Sequence, residues 1–245
     1  MKIKRILISQ PAPTNGSPYT ELISKYKIGI DFIPFFRVEP VQVKEFRLQK
    51  INILDHTAIV FSSRTAIDAF FKITEELRIT IPETMKYFCV SEAIALYLQK
   101  YIVYRKRKIF FGNGSNCSII DIIGTKHKAE NFLLTVTDNI KTDLNKIFTK
   151  SKLKHSSAIL VNTVPCDLKG INLNSYDMVV FYSPSDVKSL LENFPEFKQD
   201  SLLFATYGQT TLKALKAAKL LPTVVAPSPE APSIARALYI YLDQK

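Results

Sequence analysis

The chain has 245 residues, 47% apolar and 22% charged, which excludes disordered, collagen-like and coiled-coil readings and fits one large globular domain or two small ones. Lys and Arg number 33 against 22 Asp and Glu, a formal net charge of +11. An excess this large favours an anionic partner: nucleic acid, an acidic membrane surface, or a polycarboxylate or phosphorylated ligand.

Short apolar, β-branched runs alternate with helix-like segments from end to end. The pattern predicts a strand over residues 6–9, a helix over 19–26 and a strand over 30–36. Strand 58–61, helix 64–77, strand 87–90 and helix 93–100 come next, then strand 108–111 and a helix after Ser115. Strand 132–136, helix 138–148 and strand 159–164 succeed them. The last third reads as strand 177–181, helix 185–192, strand 201–205, helix 209–218, strand 222–225 and helix 231–242. Buried parallel strands read as continuous apolar runs, as these do, so the fold class is α/β with parallel sheets.

An internal echo suggests two similar doubly wound domains. Ile59-Val-Phe-Ser-Ser63 resembles Val179-Val-Phe-Tyr-Ser183, and each precedes a helix with apolar positions at Ile67, Phe70, Phe71 and at Val187, Leu190, Leu191. One strand–helix unit later, Cys89-Val-Ser-Glu-Ala93 and Thr206-Tyr-Gly-Gln-Thr210 occupy equivalent places. The extended segment with Pro34 and Pro40 and the segment before Pro165 fit crossings between domains. The expected division is a discontinuous domain of residues 1–35 plus 166–245, an inserted domain of 42–156, and connecting segments 36–41 and 157–165.

Cys89, Cys117 and Cys166 are far apart and odd in number, and His56, His127 and His155 are equally scattered. Such spacing implies neither a disulfide framework nor a metal site. No apolar run approaches the roughly 20 residues of a membrane span. The basic start runs into Pro11 and Pro13, which reads as a strand and turn rather than a signal peptide, so a reducing, cytoplasmic setting is expected.

Several strands end in a residue that starts a helix. Ser63 precedes Arg64, Ser91 precedes Glu92, and Ser183 precedes Pro184 and Ser185. Serine caps a helix by accepting an otherwise unpaired N–H. The same geometry, with the positive end of the helix dipole, holds anions. In open α/β sheets these helix starts line the carboxyl edge of the strands, where ligands bind. Two domains facing one another would form a ligand cleft rich in anion sites. Gly208-Gln-Thr-Thr211 is a further strand-to-helix turn, in which Gly208 permits close backbone approach and Thr210 and Thr211 add hydroxyls. Gly112-Asn-Gly114 lacks the third glycine of a dinucleotide loop, because position 117 is Cys117, so it reads as a tight turn. Arg105-Lys-Arg-Lys108 reads as a solvated approach to a strand. Charge and that run alone support a nucleic-acid module, and no amphipathic basic helix supports a membrane-surface role.

At these residues the sequence resembles the uroporphyrinogen-III synthase family. The carriers are Val60-Phe-Ser-Ser-Arg-Thr-Ala-Ile67, Val180-Phe-Tyr-Ser-Pro-Ser185, Tyr207-Gly-Gln-Thr-Thr-Leu-Lys-Ala-Leu215 and Ala226-Pro-Ser-Pro-Glu230. Residues 86–112 look like the version in Bacteroidetes-type members. The resemblance implies two α/β domains joined by a two-stranded connection, with a ligand cleft between them. It implies an enzyme that uses no cofactor or metal and cyclises hydroxymethylbilane, an octacarboxylate, in haem biosynthesis. Water is lost and ring D is inverted through a spiro intermediate. The alternative is a catalytically weakened relative that binds a tetrapyrrole or another polyanion without turnover. The expected partner is this small-molecule substrate, with neither nucleic acid nor membrane, the chain is expected to be a monomer, and transient contact with hydroxymethylbilane synthase is left open.

The binding role carries over to Ser63, Arg64, Ser91, Ser183, Ser185, Gly208 and Thr210, and Thr211 joins the catalytic candidates. The tyrosine usual in the family's second crossing strand, its candidate for assisting loss of the hydroxyl, falls here at Val161. A common threonine falls at Ile94, and a common arginine at Gln10. Tyr182 and Tyr207 are therefore the candidates for supplying a phenol from another wall.

Overall fold

The computed structural model describes residues 3–14, 16–138 and 143–244. The chain runs β1 (Arg5–Ile8), α1 (Thr20–Tyr26), β2 (Gly29–Phe32), β3 (Phe36–Pro40), α2 (Val43–Leu48), β4 (Ala58–Phe61), α3 (Arg64–Glu76), β5 (Lys86–Cys89), α4 (Glu92–Tyr97), β6 (Ile109–Phe111) and α5 (Asn116–Ile123). It continues with β7 (Phe132–Thr137), α6 (Asp143–Lys150), β8 (His155–Pro165), β9 (Met178–Phe181), α7 (Pro184–Asn193), β10 (Leu203–Tyr207), α8 (Gln209–Ala217), β11 (Pro222–Ala226) and α9 (Ile234–Asp243). Two compact units result, Met1–Arg37 with Val164–Lys245, and Val38–Thr163; both divisions fall inside strands, β3 and β8.

In the first unit five strands lie in the order β11–β10–β9–β1–β2, with every neighbouring pair parallel. The central strands β10, β9 and β1 are buried on both faces, so their alternate residues feed two cores. Ile6, Ile8, Val180 and Ala205 pack on one face with Leu238 of α9. Leu7, Val179, Phe181 and Phe204 pack on the other with Leu190 of α7 and Leu215 of α8.

The second unit has six strands in the order β3–β8–β7–β4–β5–β6, with parallel pairing of β8–β7, β7–β4, β4–β5 and β5–β6. Strand β4, Ala-Ile-Val-Phe, is buried at all four positions. Helix α3 buries Ala66, Ile67, Ala69, Phe70 and Ile73, the spacing of a helix stripe laid on a sheet. Phe88 and Phe132 meet edge to face at 5.4 Å, and Phe132 meets Phe148 at 5.3 Å.

Two sheets of parallel strands with interleaved helices agree with the expected α/β class. The differences are local. The strand expected over 30–36 is two strands, β2 and β3, interrupted at 33–35. Pro34 has no N–H to continue a ladder, while Phe35 turns fully inward and its carbonyl accepts from Cys166 N–H at 2.9 Å and from the Ser189 hydroxyl. Helix α2 has no counterpart in the sequence pattern, because its six residues bury only Phe46 and show no full apolar stripe. Of the helix expected over 138–148, the described part is α6 from Asp143; residues 139–142 lie outside the described residues, and Asp138 is left-handed at φ 51°. No helix among the described residues is long and apolar enough to cross a membrane.

Candidate active site

Strand order changes direction once in each unit, between β1 and β9 in the first and between β4 and β7 in the second. At such a switch point the connections leave the sheet in opposite senses and open a crevice at the carboxyl ends of the strands. The candidate residues cluster around these two places.

In the second unit, β4 delivers Ser62 and Ser63. Ser63 caps α3, its Oγ accepting from Ala66 N–H at 3.1 Å. Arg64 is exposed, with its guanidinium 5.5 Å from the centre of the Tyr97 ring. Ser91 sits at the start of α4 without a side-chain cap bond, bridged to Asn113. A hollow of about 210 Å³ lies at the switch point itself, lined by Ser62, Asn116, Thr135, Val136, Thr137 and Leu144. Thr135 Oγ1 donates to Val60 O at 2.8 Å and ties β7 to β4 at its floor. The Gly112-Asn-Gly114 turn is tight, as expected: a Cβ at Gly112 would meet Ser118 Oγ at 2.1 Å. Val161 is buried in β8 and offers no phenol, and Ile94 is likewise a core residue.

In the first unit, β9 delivers Tyr182 and Ser183. Ser183 and Asp186 form a capping box on α7. Ser183 Oγ accepts from Asp186 N–H at 3.3 Å, and Asp186 Oδ2 accepts from the N–H groups of Tyr182 and Ser183, each at 2.8 Å. Asp186 is fully buried, and its Oδ1 has no hydrogen-bond partner. Burial pushes its carboxyl above the ordinary aspartate value, against the lowering pull of the Tyr182 N–H, the nearby Ser9 hydroxyl and Ser183. Ser185 is half-buried in the first turn of α7.

Tyr182 and Tyr207 are half-buried neighbours on the α9 side of the sheet, with ring centres 5.8 Å apart and planes tilted by 34°. The Tyr182 hydroxyl is hydrogen-bonded to that of Tyr19, a buried residue at the start of α1. Gly208 holds φ 85°, a left-handed conformation that disfavours other residues, and its N–H donates to Ala226 O at 2.7 Å. It contributes no side chain, so α8 starts without a side-chain cap. Thr210 is exposed there, whereas Thr211 is buried with its hydroxyl unpartnered.

The structure thus gathers Tyr182, Tyr207, Ser183, Ser185, Gly208 and Thr210 along one sheet edge and turns Thr211 inward beneath it. Ser63, Arg64 and Ser91 stand at the corresponding edge of the other unit. Sequence reading misses Tyr19, Asp186 and the hollow around Thr137. Asp186 has a legible signal, the Ser183-x-x-Asp186 capping pattern. Tyr19 has none, because its partner lies 163 residues away. Among the described residues, no group of three or more His, Cys, Asp or Glu side chains is arranged to hold a metal.

These features define the class: a two-unit α/β protein whose parallel sheets each present hydroxyl-bearing helix starts at a switch point. The chain belongs to the uroporphyrinogen-III synthase family, whose model matches residues 17–236, and it is accordingly a cyclase of haem biosynthesis. Its structure is similar to uroporphyrinogen-III synthetase from Helicobacter pylori, at a TM-score of 0.59 and 15% identity over 99% of this chain and 100% of that one. It is also similar to a mutant uroporphyrinogen III synthase from Thermus thermophilus, at 0.55 and 13% over 99% and 100%. At these identities the two likenesses concern the fold. No curated protein sequence matches the chain.

Proposed function

We propose that this cyclase closes hydroxymethylbilane with loss of water and inversion of ring D through a spiro intermediate, with neither cofactor nor metal. The conversion has no net redox change. It needs a proton donor for the departing hydroxyl and a grip that brings the substituted end of ring D to attack. The observation that carries the reading is the edge after β9 and β10, where two half-buried phenols stand beside the uncapped start of α8.

Carboxylates of the substrate are received by first-turn N–H groups and hydroxyls. At α8 these are the backbone beyond Gly208 and the Thr210 hydroxyl, and at α7 they are Ser183 and Ser185. Ser63, Arg64 and Ser91 serve the same role in the other unit. Ser63 and Ser183 already accept a helix N–H, so each meets a carboxylate through its own O–H. Tyr182 is the proton donor, Tyr207 shields and orients it, and Thr211 steadies the α8 turn from below. The net charge of +11 draws in an octacarboxylate. The chain acts as a monomer in the cytoplasm, where the exposed thiol of Cys117 stays reduced.

The test generates hydroxymethylbilane in place with its own synthase, with and without this chain, in the presence of a chelator. The products are then oxidised and separated by chromatography. A dominant type III isomer is expected. A product that stays type I in the presence of folded chain would overturn the reading.

A further inference from the structure

The hydroxyls of Tyr19 and Tyr182 share a hydrogen bond in which either oxygen could donate, and their surroundings differ. Tyr19 stands at the start of α1, packed with Ile6, Ile8 and Val180 and 5.8 Å from the ring of Phe32. A phenol placed that deep needs a partner for its O–H. Tyr182 supplies one from the same face of the sheet. Tyr182 itself is fixed at three points. Asp186 Oδ2 accepts its backbone N–H at 2.8 Å, Tyr207 lies along its ring, and Tyr19 meets its hydroxyl.

The two phenols are unequal. Burial, then the bond to Tyr182, raises the Tyr19 phenol well above its ordinary value, so Tyr19 keeps its proton. Burial also raises Tyr182, but there the bond from Tyr19 works the other way and favours the charged form, while Tyr207 opposes it. Tyr19 is buried and, among the described residues, its hydroxyl meets only Tyr182 Oη, so its hydrogen has one acceptor to turn to, whereas Tyr182 is half-buried and can turn its own O–H towards the sheet edge. With Tyr19 donating to Tyr182 Oη, the O–H of Tyr182 is left to point elsewhere. The chain also lacks the second-crossing phenol that the sequence resemblance implies, since Val161 is a buried aliphatic residue.

We propose that Tyr19 is a positioning residue: it donates its hydroxyl hydrogen to Tyr182 Oη, aims the Tyr182 O–H at the hydroxyl of the bound bilane, and steadies the phenolate left when that proton is transferred. The inference rests on the reading of Tyr182 as proton donor. In the step, the carbon–oxygen bond of the hydroxymethyl group breaks as the Tyr182 proton moves to the oxygen, and water departs. The pyrrole nitrogen supplies the electrons, leaving an azafulvenium cation and the Tyr182 phenolate. Ring closure and rearomatisation later release one proton from carbon, which returns to Tyr182. The balance is one water released and no net proton consumed.

The test is Tyr19→Phe, which keeps the ring and removes the donor. Turnover number should fall by about tenfold, a fraction of what a whole general acid contributes, with KM little changed. A bilane whose hydroxyl is replaced by a better leaving group needs less protonation, so it should recover most of the loss. Equal slowing of both substrates, or no slowing, would overturn the proposal. The double variant Tyr19→Phe/Tyr182→Phe leaves no hydroxyl unpaired and should turn over as Tyr182→Phe does. A double variant markedly slower than Tyr182→Phe would show that Tyr19 acts by another route and contradict the proposal. A wild-type chain that makes no type III product sinks the earlier reading; a working wild type with an unimpaired Tyr19→Phe sinks this one.

Discussion

Strands β4 and β9 are nearly interchangeable: Ala-Ile-Val-Phe and Met-Val-Val-Phe, each buried at all four positions and each beside a switch point. The residues just past them differ. After β4 the chain offers Ser62 and Ser63, and the neighbouring switch point is a hydroxyl-lined hollow of about 210 Å³. After β9 it offers Tyr182 and Ser183, locked by a buried carboxylate and crowded by two further phenols. One unit presents a hydroxyl-rich concavity and the other a wall of phenols held by a buried carboxylate. A strand–helix unit therefore fixes where a site lies, while the two or three residues past the strand decide its chemistry.

If the two scaffolds are equally sound, truncating a core ring should cost both units alike. Phe204→Ala in the first unit and Phe132→Ala in the second should each lose about 3–5 kcal/mol in urea unfolding, since both rings are fully buried. A loss below about 1 kcal/mol at either would show that sheet to be loosely packed.

The strand ends should then diverge. Asp186→Ala strips two N–H groups of their acceptor and should cost about 2 kcal/mol, whereas Ser63→Ala removes a single cap and should cost about 1 kcal/mol. Equal values would erase the distinction between a locked and an open edge.

The smallest effect is a difference in sign with pH. The Asp186 carboxyl is raised in the folded chain, so its contribution is whole below the ordinary aspartate range and is lost as pH rises through the folded value. Glu130 of the second unit is the opposite case. Partial burial pushes it up, but Lys86 and Thr57 outweigh burial and hold it below the ordinary glutamate value. Its contribution is present above that value and is lost as pH falls through the folded one. Urea midpoints measured across the carboxylate range should favour Asp186→Asn over wild type increasingly as pH rises, and wild type over Glu130→Gln increasingly over the same interval. Parallel trends in the two variants would contradict these assignments.

Much of the scaffold is legible in the sequence because buried parallel strands advertise themselves as apolar runs. Every strand and helix expected after residue 158 has a counterpart, with boundaries shifted by up to four residues, as at the start of β8. The interruption at Pro34 escapes notice because Ile30, Phe32, Ile33, Phe35 and Phe36 make residues 30–36 read as one strand, although Phe35 belongs to an interior formed with Phe181. The strand-end serines are legible as helix starts, since capping is a local signal. The Tyr19–Tyr182 bond is not, because it joins residues that only the finished sheet brings together. Thr211 reads as a hydroxyl on the rim; only packing of α8 on β10 shows that it points inward.

The contrast between an acid-bearing edge and a gripping edge is tested most directly by steady-state kinetics of Tyr182→Phe beside Ser63→Ala, with hydroxymethylbilane varied through saturation. The expected result is a turnover number lowered about 100-fold at Tyr182 with KM nearly unchanged, and at Ser63 a raised KM with turnover nearly intact. Undiminished turnover in Tyr182→Phe would contradict the claim that the first unit supplies the acid.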